Sequence, residues 1–191
     1  MPSKSGSSAS ISCKEFLANA AFTAIAWVVL FEVNAYIFSS VEVGDYVSWV
    51  FLPAAVRIIA VLLAGYSGAL GLFIGAFITN SPILGVSFQQ AILLSLFSAL
   101  GPVIAVMVTL YVLQIAGNLN GLRWWHLIAF AFCGAIFNVL PTHMYLKFVG
   151  ELEDVSFSFG AMLVGDLIGT LVVLSVASLA AKLVLRIQAK Q

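Results

Sequence analysis

The sequence predicts an all-α, polytopic integral membrane helix bundle with six transmembrane helices and both termini in the cytoplasm. Three observations predict it. Apolar residues make up 62% of the 191 residues and charged residues only 8%, against roughly 45–50% and about 25% in soluble domains. That leaves too little polar surface to face water. The apolar residues gather into runs long enough to cross a bilayer core of about 30 Å, and the few charges between those runs are sorted by sign.

The spans fall at about 16–38, 48–65, 67–80, 89–115, 125–147 and 157–185. A Ser-rich tail, 1–13, is expected to be disordered, which leaves 14–191 as the transmembrane domain. Lys14 ahead of an apolar run also suits a signal peptide. The run is longer than an h-region of about 7–15 residues and contains Glu32, so it reads as a span. The second and third spans meet at Gly65-Tyr66-Ser67-Gly68, where glycine lets the backbone reverse. If 50–80 were instead one broken span, the count would be five.

Charge placement favours six. Lys4, Lys14, Arg123, Lys182, Arg186 and Lys190 all fall on one side when six spans are drawn, and cytoplasmic ends and loops carry the excess of Lys and Arg. Glu42, Asp45, Glu151, Glu153 and Asp154 then fall on the other side. Trp124 and Trp125 sit at the inner interface as belt anchors.

Several functions lack a signal. Lys and Arg equal Asp and Glu at eight each, and no basic patch suggests nucleic acid. Cys13 and Cys133 have no metal or redox spacing. His143 has no second ligand at helical spacing and is expected to point away from the polar groups near it, so no metal site is read. No nucleophile–base pair and no phosphate loop is present, so neither an enzyme nor a cofactor is expected.

Ionisable side chains inside spans cost about 2.5–3.5 kcal/mol each at the bilayer centre. Away from the span ends three charged side chains occur: Glu32, Arg57 and Asp166. Counted inward at about 1.5 Å per residue, Arg57 and Asp166 lie at equal depth, so they are expected to form an ion pair. Asn138, Thr142 and Tyr145 form one stripe on the fifth span, and Pro141 there frees a carbonyl and opens a polar notch. Asn34 shares a face with Thr23 and Asn19, with Glu32 on another. Asn80, Gln89 and Gln90 line the outer connection between the third and fourth spans. Polar groups therefore concentrate in the outer half. That distribution fits an outward-facing small-molecule pocket built from Arg57, Asp166, Asn138, Glu32, Thr142 and Asn80. It also fits a pair that only fixes packing.

Small residues four apart let helices approach closely in lipid. They occur as Gly71 and Gly75, as Gly165 and Gly169 around Asp166, and as Ala20 and Ala24. All are expected to pack within the bundle; if the neighbour of Gly165 and Gly169 is the second span, Arg57 and Asp166 meet. The Ala20–Ala24 face could also dock a partner.

Residues 52–80, LPAAVRIIAVLLAGYSGALGLFIGAFITN, resemble the early hairpin of the bacterial membrane-associated sensor domains found ahead of histidine kinases and diguanylate cyclases. Pro53, Gly65, Gly75 and Asn80 carry the likeness. VGDLIGTLVV at 164–173 is similar to a late helix of that family. The family usually has more helices and an attached output module, which this chain is expected to lack. The resemblance implies a sensor-type ligand-binding or interaction module in a bacterial inner membrane that passes its state to a separate signalling partner. Small size, six spans and inner termini also resemble the S components of energy-coupling-factor transporters, which implies a substrate-binding subunit with a transducer partner. A structural membrane protein is the third alternative.

Overall fold

The computed structural model describes residues 12–38, 40, 42–44, 47–83, 86–115, 123–152 and 155–188. In order these form α1 (Cys13–Phe38), β1 (Glu42–Gly44), β2 (Val47–Ser48), α2 (Pro53–Ile78), α3 (Phe88–Val112), α4 (Trp124–Val149) and α5 (Val155–Gln188). The two strands form a short antiparallel ribbon, and α2 runs on into a wide turn at Thr79–Ile83. Among the described residues, five helices are long and apolar enough to cross a membrane. Most of the tail 1–13, the loop 116–122, and Asp45, Glu153 and Asp154 lie outside the described residues.

The stretches expected as second and third spans form one element, α2, broken at Gly65. There the backbone takes φ 57° and ψ −127°, a region open essentially to glycine. The break reverses the chain. The Trp27 ring lies 5.1 Å from the Arg57 guanidinium, and its Nε1 donates to Thr79 Oγ1 at 3.1 Å. In a straight helix Arg57 and Thr79 would be roughly 33 Å apart at about 1.5 Å per residue. The two arms, 53–64 and 66–78, therefore lie side by side.

Small residues set the spacing of the bundle. Ala20 and Ala24 on α1 face Gly71 and Gly75 on the second arm, where a Cβ on Gly75 would come within 2.8 Å of Trp27 Cβ. A Cβ on Gly71 would fall on the Ala20 carbonyl. On α4, Pro141 has no N–H to give the Phe137 carbonyl. Gly101 of α3 comes up against that carbonyl, with 2.8 Å between its would-be Cβ and the oxygen. The notch expected at Pro141 is thus a helix crossing: α4 continues through the proline, and Gly101 closes over the freed oxygen. Leu72, Ala76 and Phe130 anchor the main apolar core, while Val139, Leu146 and Ala161 anchor a smaller one nearer the ribbon.

Substitutions should separate the two kinds of glycine. Nothing lies within 4 Å of a Cβ at Gly65, so Gly65→Ala should cost only backbone strain, about 1–3 kcal/mol. Gly71→Leu should cost more, because its side chain meets fixed backbone of α1. Thermal unfolding in detergent checks the order.

Candidate functional site

The helix expected from residue 48 begins at Pro53. Residues 47–52 are a non-helical lead-in that starts as strand at Val47–Ser48 and turns into α2 at Leu52; it is buried at Val47 and Leu52 and lies against α5 at Gly165 and Gly169. Backbone away from a helix needs partners when water is excluded, and this segment has them. Val50 N donates to Ser48 Oγ at 3.3 Å, Phe51 N to the Gly165 carbonyl at 3.0 Å, and Leu52 N to Asn34 Oδ1 at 2.8 Å. Pro53 has no donor to place.

Gly165 and Gly169 permit this approach. A Cβ on either would fall on the Ser48 or Phe51 carbonyl. The residues that the pair meets, Ser48, Trp49, Phe51 and Leu52, fall within the stretch expected as the second span but precede its helix, which starts at Pro53. The consequence for Arg57 is the expected one. The lead-in runs along α5, so the first turns of α2 meet Asp166.

Arg57 Nη1 donates to Asp166 Oδ2 at 2.6 Å, and Asn138 Nδ2 donates to the same oxygen at 3.2 Å. Arg57 and Asp166 are each 6% exposed and Asn138 is 3% exposed. The guanidinium is also flanked by two rings, with the Trp27 and Phe51 centroids each 5.1 Å from its carbon. Those rings meet edge-on at 6.0 Å. Cation–π attraction strengthens where water is absent, to about 2 kcal/mol or more. Arg57 is therefore held by a carboxylate and clasped by two aromatic rings. Two atoms of the cluster, Arg57 Nε and Asn138 Oδ1, are buried with no hydrogen-bond partner among the described residues.

The other expected site residues stand apart. Glu32 is exposed on the far face of α1. Asn80 donates to Ser95 Oγ at 3.4 Å on α3. Thr142 is half-buried on α4, outside the hydrogen bonds of the Arg57 cluster. His143, expected to point elsewhere, is buried with its ring 5.3 Å from that of Phe159. His126 caps α4 by accepting from Arg123 N at 2.9 Å.

Sequence reasoning missed Trp27, Phe51 and the capping role of Asn34. A signal existed for two of them. Ala20, Ala24, Trp27 and Asn34 lie on one helical stripe, and all four are buried. Extending the small-residue pair outward would have reached Trp27 and Asn34. Phe51 gave no such signal, because its position depends on α2 starting only at Pro53.

Two substitutions should grade the cluster. Asn138→Leu removes one of the hydrogen bonds to Asp166 and should cost about 1–3 kcal/mol. Trp27→Leu removes a ring from Arg57 and the bond to Thr79, and should cost more than a Leu substitution at exposed Phe22. Equilibrium unfolding in detergent–lipid mixtures measures both. The chain matches no protein-family profile, no curated protein and no solved structure.

Proposed function

We propose that the chain is a multi-pass membrane module of the sensor type, which binds a small molecule at the Arg57–Asp166–Asn138 cluster and relays its state to a separate partner. The two arms of α2 cross the membrane separately in this reading, giving six crossings with both termini in the cytoplasm of a bacterial cell. The first arm is only about 18 Å long, and the lead-in 47–52 supplies the remaining depth.

The observation that carries the reading is the charge cluster itself, with a donor at Arg57 Nε and an acceptor at Asn138 Oδ1 left open. Cohesion alone does not favour such a cluster. A buried ion pair is often matched or bettered by apolar side chains of similar volume, whereas ionisable groups inside a membrane mark sites. Irregular backbone at membrane depth, as at 47–52, supports the same reading, because it is tolerated where protein buries it or where it lines a cavity. For the transporter-subunit alternative, the Ala20–Ala24 face is taken up by Gly71 and Gly75.

The test is the thermal midpoint of the purified protein across a panel of small organic acids, amino acids, sugars and nucleobases. At least one compound should raise the midpoint of the parent protein and leave folded Asn138→Leu unmoved. A panel that moves neither protein leaves the cluster as a structural lock. Cysteine labelling from each side of sealed vesicles should place both termini in the cytoplasm, and an odd number of crossings would separate them.

A further inference from the structure

α1 packs chiefly on α2 and presents its opposite face outward. Phe22, Ile25, Val29, Glu32 and Tyr36 recur at alternating steps of three and four, and every one is exposed. That is the spacing of a helix-packing seam. Its apolar members alone would suit lipid, but Glu32 does not. Glu32 makes no hydrogen bond or ion pair among the described residues. It lies about 7 Å outward of Trp27 and about 9 Å inward of the outer end of α1. A carboxylate on two methylenes reaches less far towards the headgroups than the long stems of Lys or Arg. Acidic groups in spans almost always face a bundle interior or a partner charge, and this one faces out of its own bundle.

We propose that the α1 seam docks a transmembrane helix of a separate protein that carries a Lys or Arg in its outer third, paired with Glu32. A second copy of this chain fits less well, because a twofold axis along the membrane normal would set Glu32 against Glu32. The proposal rests on the reading that the module has a separate partner, and it names the surface and charge that partner must meet.

The experiment places a photo-crosslinking residue at Val29 of the full-length chain in cells. The expected adduct is with a membrane protein whose span bears a basic residue at the matching level. Glu32→Lys should reduce that adduct by about tenfold or more, and changing the partner's basic residue to Glu should restore it. Glu32→Leu should leave the thermal midpoint of the purified chain unchanged. Adducts only with lipid, with a second copy, or with a protein whose capture ignores the charge swap would overturn the docking surface. So would loss of fold in Glu32→Leu, which would give Glu32 an internal role. If docking fails, ligand-dependent stabilisation at Asn138 survives. If ligand binding fails, the charge-dependent adduct survives.

Discussion

The bundle is organised around a positive charge that has to be neutralised where water does not reach. Arg57 sits in the first turns of α2, and its counter-ion comes from α5, more than a hundred residues later in the chain (2.6 Å, Nη1 to Oδ2). Each charge alone would cost a few kcal/mol inside a bilayer. The fold therefore has to bring the start of α2 and the middle of α5 together. Asn138 adds a donor from α4, and Trp27 adds an aromatic face from α1. Four helices are tied to one guanidinium–carboxylate contact, directly or through a single neighbour.

The surrounding features follow from that requirement. Gly165 and Gly169 flank Asp166 and clear room for the lead-in, and the Phe51 amide uses the Gly165 carbonyl. Asn34 takes the next amide, from Leu52. The Gly65 reversal then returns the chain along α1, so that Thr79 reaches Trp27, the ring that clasps Arg57. One local conformation, one pair of small residues and one capping amide thus position the charge pair.

Much of this was legible in the sequence. Composition and run length give the all-helical, membrane-type architecture, because so few polar side chains leave little else to build. Gly65 marks the break within 50–80, and depth counting pairs Arg57 with Asp166. The counting reached the right pair through a wrong detail. Run length puts Arg57 well inside a helix from residue 48, whereas the helix starts at Pro53 and Arg57 lies in its second turn. Apolar residues such as Val47, Val50 and Phe51 read alike as helix or strand, so hydropathy could not separate them. Glu32 was grouped with Arg57 because depth is readable from spacing, while the face of α1 that turns inward is set by Gly71 and Gly75 on another element. The partner of the Phe137 carbonyl was equally hidden, since it is a glycine of α3.

The central claim is that Arg57 and Asp166 act as one unit. A double-mutant cycle with Arg57→Leu, Asp166→Leu and the double variant, read by equilibrium unfolding in detergent–lipid mixtures, tests it most directly. Each single change should cost about 3–5 kcal/mol by stranding a buried charge. The double variant should recover most of that, leaving a coupling of about 2 kcal/mol or more. Costs that add to within about 0.5 kcal/mol would mean the two side chains act independently, and would contradict the account.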